Sequence, residues 1–386
     1  MLNFIYKSPT RVIFGKNTQY EAGKHAVKYG KRVLIHYSGV SQRIISLVET
    51  VKESLKNEGL EFIELGGVQP NPRLGLVRKG IDLCRSNNIE HIIAIGGGSV
   101  IDSAKAIAIG VPYEGDVWDF FTGKTPTETI PVGVILTIAA AGSEAANGTV
   151  ITNEDGWYKK SVNNEVIIPK YAILNPELTF SVPAYQTGCG VTDIIAHVME
   201  NYFSSTPNVE LTDRLCEAVM KTAINNGRIV MQKPDDYDAR AEIMWAGTIA
   251  QMGFLNMGRQ GDWASHLIEH EISGIYNIAH GAGLAAVFPA WMKYVHVQNI
   301  DKFVQFAQRV WEVDETAFDS KEDIAQEGIK RTVEFFREIG MPVTLKELKV
   351  PNERFEEMAE KCTEYGPLGN FKLNRQDVIN IFNLAQ

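Results

Sequence analysis

The sequence predicts two domains of different fold class, an α/β domain in residues 1–180 and an all-helical domain in residues 181–386. Three observations predict this division. A chain of 386 residues is long for one core, since domains usually span about 100–200 residues. Short apolar runs alternate with helical patterns in the first half, whereas only helical periodicity continues in the second. A proline-containing stretch at 176–183 lies where the pattern changes and marks the expected boundary.

The first half has the pattern of a parallel β-sheet covered by helices on both faces, because its apolar runs are continuous rather than alternating. The predicted elements follow in chain order as a strand at 32–37, a helix at 41–58, a strand at 60–65, a helix at 73–87, a strand in 91–99 and a strand in 130–142. Antiparallel strands at an edge are expected from VIF (12–14) and from the pair GTVIT (148–152) and KKSVN (159–163). From about residue 190 to the end, helical periodicity is expected to dominate, with breaks at 232–236, 349–353 and 365–370.

Composition is that of an ordinary globular protein and argues against several classes of function. The chain is 45% hydrophobic and 22% charged, and its net charge of −9 includes no basic block. Nucleic acid and anionic membranes are therefore not expected partners. The most apolar stretch, 130–142, is shorter than the ~20 residues of a membrane helix, and the N-terminus lacks a secretion-signal pattern. The four cysteines of the chain lack CxxC spacing, so we expect no disulfide framework and a cytoplasmic location.

A glycine run, Gly96, Gly97 and Gly98, lies between a predicted strand and a helix that is expected to open at about Ser99. Glycines at such a turn let backbone N–H groups approach a phosphate, and the helix N-terminus adds partial positive charge. The alternative is a tight turn in which Ser99 caps the helix. The run differs from the GxGxxG fingerprint because Ile101 occupies the place of the third glycine. Any dinucleotide site in this chain must therefore be built differently from the one that the GxGxxG fingerprint forms.

A second turn, HYSGVSQ (36–42), follows the first long predicted strand, where an adenosine ribose is often held. An acidic residue there would bind the ribose hydroxyls and repel a 2′-phosphate, but this turn has Ser38, Gly39 and Ser41. NADP(H) is therefore admissible and expected to be preferred over NAD(H), with Arg43 as the nearby arginine. An ordinary turn is the alternative.

Five residues of the second half form candidate metal-binding patterns. Asp193 and His197 are four residues apart, as are His266 and His270, and in a helix each pair would leave from one face. His280 precedes small residues that permit close approach of backbone or ligand. A carboxylate with two or three imidazoles suits Fe(II) or Zn(II), which polarise a carbonyl or alkoxide oxygen. The alternative for either pair is a capping aspartate or a surface ion pair.

Together these motifs resemble the iron-containing (group III) alcohol dehydrogenases, which share the fold of dehydroquinate synthase and glycerol dehydrogenase. The resemblance covers nearly the whole chain. It rests on PNP (70–72), GGGSVIDSAK (96–105), T…GSE (137–144), NPELT (175–179), GVTDIIAH (190–197) and DWASHLIEHEIS…HGAGLA (262–285). The DWASH and YSGVS forms look most like the NADP(H)-preferring butanol dehydrogenases and aldehyde reductases.

The resemblance implies one divalent metal, Fe(II) or sometimes Zn(II), bound by Asp193, His197, His266 and His280, with His270 facing the nicotinamide and the substrate. It also implies a set of cofactor contacts: Gly39 and Ser41 near the adenosine ribose, Gly97, Gly98, Ser99 and Asp102 around the pyrophosphate, Asn71 near the nicotinamide, and Thr137, Lys159 and Leu178 at further positions. Ala141 departs from the family, which usually has a threonine there. One cofactor hydrogen bond, typically worth about 0.5–1.5 kcal/mol, is therefore expected to be missing or replaced by a bond to water.

The activity implied by the resemblance is hydride transfer between the nicotinamide cofactor and a small primary alcohol or aldehyde, in a homodimer. The active site is expected in the cleft between the two domains, which is a common position for cofactor sites. Phe254, Trp263 and Tyr276 are candidate pocket residues and could equally be core. A polyol dehydrogenase of the same fold is the alternative. A dehydroquinate synthase-like lyase needs a set of Lys and Arg near the metal, where 255–281 offers only Arg259. A non-catalytic nucleotide-binding protein has no need of four metal ligands.

Overall fold

A computed structural model describes residues 1–39 and 41–386 of the chain. The chain forms two compact units, of which one spans Lys7–Ser181 and the other combines Val182–Gln386 with Met1–Tyr6. The first six residues pack with the helical half, where the Leu2 N–H donates to the Gly258 carbonyl at 2.8 Å. Sequence periodicity gives no sign of this contact, because it joins residues more than 250 positions apart.

The unit Lys7–Ser181 is built on a six-stranded sheet in the order β1-β8-β5-β4-β2-β3, with every pairing parallel. Its elements are β1 (Arg11–Phe14), α1 (Ala22–Ala26), β2 (Arg32–Ser38), α2 (Gln42–Asn57), β3 (Glu61–Val68), α3 (Leu74–Ser86), β4 (His91–Gly96), α4 (Gly98–Gly110), α5 (Trp118–Phe121), β5 (Val132–Leu136), β6 (Gly148–Asn153), β7 (Tyr158–Asn163) and β8 (Tyr171–Leu174). Every residue of β4, β5 and β8 is buried. The predicted parallel α/β sheet is confirmed.

Two expectations about the minor strands are wrong. VIF lies in β1, which pairs parallel to β8 at the sheet edge, because β8 comes from the far end of the unit and no hairpin joins the two strands. β6 and β7 are antiparallel as expected, but they form a separate two-stranded sheet. Asp102 of α4 attaches this hairpin to the helix, since its backbone carbonyl accepts the Thr149 hydroxyl at 2.7 Å and its carboxylate accepts the Val150 N–H at 3.0 Å.

The carboxyl ends of the parallel strands lie at one edge of the sheet, so the turns that follow them are neighbours. Tyr37 of β2 is in register with Ile95 of β4, and Gly96 of β4 with Leu136 of β5. The Thr137 N–H then donates to the Gly96 carbonyl at 3.0 Å. The sheet thus places the turn after β2, the glycine turn and the loop after β5 side by side.

The second unit is helical, as predicted. Its helices are α6 (Ala184–Tyr202), α7 (Glu210–Gln232), α8 (Tyr237–Gln251), α9 (Ala264–Tyr276), α10 (His280–Val295), α11 (Ile300–Trp311), α12 (Lys321–Glu338), α13 (Phe355–Cys362) and α14 (Arg375–Leu384). Helices α6, α9 and α10 are buried on most of their surface and carry the candidate metal ligands. Within the described residues, no helix combines the length and apolar character needed to cross a membrane.

Candidate functional site

Four of the predicted side chains meet inside the helical unit. Asp193 and His197 lie one turn apart on α6, His266 lies on α9 and His280 is the first residue of α10. Each offers one ligand atom, and these atoms all lie within 4.8 Å of one another. Asp193 Oδ1 is 3.5 Å from His197 Nδ1 and 3.7 Å from His280 Nε2. These four residues, the ligand group, combine one carboxylate with three imidazoles.

Two glycines allow the helices to approach closely enough to form the ligand group. A Cβ atom on Gly281 would lie 2.7 Å from the Cys189 carbonyl carbon on α6. A Cβ atom on Gly283 would lie 2.8 Å from Cγ of Glu269 on α9. Contacts this short do not occur with real side chains, so α10 can rest against α6 and α9 only where it has no Cβ. The small residues that follow His280 therefore have a packing role.

Two buried carboxylates lie behind two of the histidines. His266 Nδ1 lies 2.7 Å from Glu200 Oε1, and His280 Nδ1 is hydrogen-bonded to Glu269 Oε2. Both glutamates have no exposed surface. Because an ionised carboxylate can only accept, each imidazole donates from Nδ1 and keeps its lone pair on Nε2. Sequence reasoning missed both glutamates, although Glu residues within buried helical segments are a signal that could have found them.

The ligand group fits a divalent metal. The buried His266 Nε2 has no hydrogen-bond partner among the described residues, as expected of an atom placed to bind a metal. Burial, followed by the neighbouring His266 and His280, holds the pKa of His197 well below its ordinary value. A neutral imidazole is the form that binds metal, and one carboxylate with three imidazoles suits Fe(II) or Zn(II).

His270 lies beside the ligand group, one turn after His266 on α9. Its side chain is buried, and its ring centroid is 5.5 Å from that of His280. Trp263 borders the group on another side, with its ring 5.3 Å from the His266 ring and 6.0 Å from the His197 ring. The ligand group therefore has a polar neighbour, His270, and an aromatic neighbour, Trp263.

The glycine turn leads directly into a helix. α4 begins at Gly98, with Gly97 in extended conformation at the N-cap and no side-chain hydrogen bond at that cap. The alternative in which Ser99 caps the helix is therefore wrong, since Ser99 lies inside the first turn. A Cβ on Gly98 would come within 3.0 Å of the Ala141 Cβ, so the loop after β5 packs against the turn. The first N–H groups of α4 lack intrahelical acceptors, as at every helix N-terminus, which is the arrangement that binds phosphate.

The turn after β2 exposes Gly39 and Ser41 to solvent. The Ser41 hydroxyl caps α2 by accepting the Ile44 N–H at 3.4 Å. Arg43, in the first turn of α2, donates to the Leu178 carbonyl and to the Ser181 hydroxyl, each at 3.2 Å. Two of the predicted cofactor positions, Ser41 and Leu178, are thus connected through the first turn of α2.

Asn71 and Lys159 are connected through the β6–β7 hairpin. The Thr152 N–H of β6 donates to the Pro72 carbonyl at 2.8 Å, and Thr152 is in register with Lys159 of β7. Asn71 adopts a left-handed conformation, with φ of 53°. Both Asn71 and Lys159 are buried. The hairpin therefore brings Lys159 towards the PNP turn, although the two lie far apart in the sequence.

Asp102 and the buried Lys105 fasten the segment 143–150 to α4. Asp102 accepts the Ser143 hydroxyl at 2.6 Å as well as the Val150 N–H. The Lys105 ammonium donates to the Ser143, Ala146 and Gly148 carbonyls at 2.5–3.0 Å. Burial raises the pKa of Asp102, while the Lys105 charge opposes this shift. Both carboxylate oxygens of Asp102 thus have protein partners, and Lys105 was not among the residues predicted for the site.

Comparison with known proteins agrees with this arrangement. The model of the family "Iron-containing alcohol dehydrogenase" matches residues 9–176, and that of "Fe-containing alcohol dehydrogenase family, C-terminal" matches residues 187–386. NADH-dependent butanol dehydrogenase A of Clostridium acetobutylicum is 41% identical over 99% of each chain. NADPH-dependent aldehyde reductase YqhD of Escherichia coli is 32% identical over 95% of this chain and 94% of its own.

Among solved structures, NADH-dependent butanol dehydrogenase A from Thermotoga maritima matches with a TM-score of 0.96 and 36% identity, covering 100% of this chain and 99% of that one. The chain therefore belongs to the iron-containing alcohol dehydrogenase family. It is an oxidoreductase that acts on alcohols or aldehydes with a nicotinamide cofactor.

Proposed function

We propose that this enzyme interconverts small aldehydes and primary alcohols by transferring a hydride between NADP(H) and the substrate carbon. The observation that carries the proposal is the ligand group, in which a buried carboxylate and three imidazoles converge and His266 Nε2 has no hydrogen-bond partner among the described residues. When bound, a divalent metal, Fe(II) most readily, would supply Lewis acidity towards the substrate oxygen. Asp193, His197, His266 and His280 would hold it.

The surroundings of the ligand group support a small, largely apolar substrate. The Trp263 ring lies beside His197 and His266 and supplies an apolar wall. The family relatives include proteins named for butanol and for aldehydes. Reduction is the proposed physiological direction, with NADPH as the hydride donor.

His270 is the proposed proton donor in the reductive direction. Its imidazole is buried next to His280 but is not a member of the ligand group. A positioned imidazole can hold a proton near neutral pH and release it to an alkoxide product. The proton would move from the His270 ring to the substrate oxygen, directly or through one water.

The cofactor contacts implied by the family resemblance are part of this proposal. Around the glycine turn, Gly97, Gly98 and Ser99 present the helix N-terminus to the pyrophosphate, while Asn71, Thr137 and Lys159 serve the remainder of the cofactor. For Asp102 we propose an indirect role through the Ser143 hydroxyl and the Val150 N–H, because a free carboxylate would repel the pyrophosphate.

The preference for NADP(H) over NAD(H) rests on the turn after β2. Ser38, Gly39 and Ser41 bring no negative charge to the position of the ribose 2′-oxygen, and Gly39 and Ser41 are exposed. Relatives of both kinds exist: butanol dehydrogenases named NADH-dependent are 40–43% identical to this chain, and an aldehyde reductase named NADPH-dependent is 32% identical. The local absence of a carboxylate at 38, 39 and 41 favours dependence on NADPH.

The function is tested with purified, metal-loaded enzyme and a panel of butanal, butanol and 1,3-propanediol, each with both nicotinamide cofactors. The proposal predicts the highest kcat/KM for butanal with NADPH and a lower value with NADH. A higher kcat/KM with NADH would contradict the cofactor preference. A higher kcat/KM for the diol than for butanol would favour a polyol dehydrogenase.

We also propose a homodimer in the cytoplasm. β1 forms one edge of the main sheet, and the N-terminal segment exposes apolar side chains such as Phe4 and the fully exposed Ile5. Exposed edges and apolar surface are typical of protein interfaces. The free cysteines suit a reducing compartment. Light scattering of the purified chain should give twice the mass of 42.9 kDa, and a monomer mass at micromolar concentration would contradict the dimer.

A further inference from the structure

Glu269 and Glu200 contact the ligand group without belonging to it. We infer that these two glutamates are positioning residues, which set the affinity of the site for a divalent metal by fixing the orientation and tautomer of His280 and His266. The inference rests on the proposed metal-dependent function and names residues that the family resemblance did not supply.

The surroundings of Glu269 favour a fixed orientation. Its carboxylate is fully buried and accepts from His280 Nδ1 and, at 3.3 Å, from the Ser273 hydroxyl. Gly283 leaves the space that the carboxylate occupies, since a Cβ there would lie 2.9 Å from Glu269 Cδ. With Nδ1 held on this side, His280 Nε2 lies 3.7 Å from Asp193 Oδ1. The imidazole of His280 therefore lies between Glu269, to which it is hydrogen-bonded, and the carboxylate of Asp193.

Glu200 acts on His266 in the same way and also supports the start of α9. Its Oε1 accepts from His266 Nδ1 at 2.7 Å and from the Ser265 hydroxyl, and its Oε2 accepts the Trp263 N–H at 2.6 Å. The other imidazole nitrogen of His266 is buried without a hydrogen-bond partner among the described residues. Glu200 thus combines support of the helix start with ligand orientation.

A carboxylate that is hydrogen-bonded to an imidazole is expected to raise the affinity of that imidazole for metal, so the metal affinity should fall when the carboxylate is removed. The negative charge stabilises the partial positive charge that the ring acquires when Nε2 binds a metal, and the hydrogen bond prevents the ring from rotating. Removal of such a partner typically lowers metal affinity about 10–100-fold. A glutamine at the same position still accepts a hydrogen bond but lacks the charge, so Glu269→Gln separates the two contributions with little change of volume.

The experiment measures Zn(II) binding by chelator competition on full-length protein that has been freed of metal. We expect Glu269→Gln to bind one Zn(II) per chain about 10–100-fold more weakly than the wild type, and Co(II) absorption to show the same four-coordinate site. The matched control is Glu271→Gln on the same helix, where a buried carboxylate instead pairs with Lys361 at 3.6 Å. Its Zn(II) affinity should equal that of the wild type.

Three results would overturn the inference. The first is a Zn(II) affinity of Glu269→Gln within about threefold of the wild type, well short of the usual effect. The second is an equal loss in Glu271→Gln, which would indicate a general effect of buried charge. The third is two metals per wild-type chain, which would make Glu269 a ligand together with His270 and His280, whose ligand atoms also lie within 4.8 Å of one another.

A poorly folded Glu269→Gln protein would be replaced by Glu200→Gln, for which the same range of weakened binding is expected and wild-type affinity would again contradict the inference. Failure of the proposed function is distinguishable. In that case the wild type itself would bind no metal, whereas failure of the inference alone leaves wild-type binding intact.

Discussion

Replacing Gly281 by alanine should separate the helices that form the ligand group. The new Cβ would lie 2.7 Å from the Cys189 carbonyl carbon and 2.8 Å from its Cα, whereas ordinary contacts begin at 3.4 Å. The obstructing atoms are backbone and cannot rotate away, so α10 must move from α6 by roughly 1 Å, and overpacking of this kind costs about 1–3 kcal/mol. Metal–ligand distances tolerate only about ±0.2 Å. A shift of His280 relative to Asp193 therefore exceeds what the metal site allows.

The assay combines denaturant unfolding of metal-free protein with Zn(II) titration. Gly281→Ala should lose about 1–3 kcal/mol of unfolding free energy and bind Zn(II) at least about tenfold more weakly. Gly75→Ala is the control, because Gly75 is an exposed helical glycine and a Cβ added to it would meet nothing within 4 Å; it should gain about 0.5–1 kcal/mol. Wild-type Zn(II) affinity in Gly281→Ala would show that the metal site does not depend on the close approach of α10 to α6.

Three further predictions concern buried charge, acid stability and proton transfer. Lys105→Met should lower the unfolding free energy by about 3–5 kcal/mol, because it leaves the Ser143, Ala146 and Gly148 carbonyls and Asp102 without their cation. A loss below about 1 kcal/mol in denaturant unfolding would contradict this. Burial lowers the pKa of His36 to about 4 and that of His91 to about 3. Both rings therefore stay neutral in the folded chain, whereas in the unfolded chain they take up protons below about pH 6.5. Each is expected to lower the free energy of unfolding by about 2 kcal/mol as the pH falls from about 7 to about 5. His36→Gln should flatten that loss in unfolding measured at both pH values, and an unchanged slope would contradict the assignment. His270→Ala should keep its metal by elemental analysis while kcat falls at least about tenfold, and wild-type kcat would exclude the proposed proton donor.

Most of the fold could be predicted because buried parallel strands and helices leave distinct local patterns. Continuous apolar runs predicted β2, β4 and β5, and helical periodicity predicted the second unit. The direction of β1 could not be predicted, since it depends on pairing with β8, which lies near the far end of the unit. The same limit explains why the association of Met1–Tyr6 with the helical unit was missed.

The candidate site was partly predictable for the same reason. The four-residue spacing of Asp193 and His197 is a local signal, and both side chains enter the ligand group. The spacing of His266 and His270 is equally local, but these two histidines fall in different groups of possible ligands. His266 instead faces His280, with ring centroids 5.3 Å apart, and Gly283 lets α10 approach α9 at this point. Contacts of this kind depend on tertiary packing, as do those of Glu200 and Glu269.

We propose that the ligand group holds a metal on which hydride transfer to an aldehyde depends. The most direct measurement is metal content together with butanal-dependent NADPH oxidation in wild type and Asp193→Ala. We predict about one Fe(II) or Zn(II) per wild-type chain, loss of activity on chelation and its return on adding metal, and neither metal nor activity in Asp193→Ala. Wild-type activity in a metal-free Asp193→Ala protein would show that hydride transfer does not depend on a metal at this site.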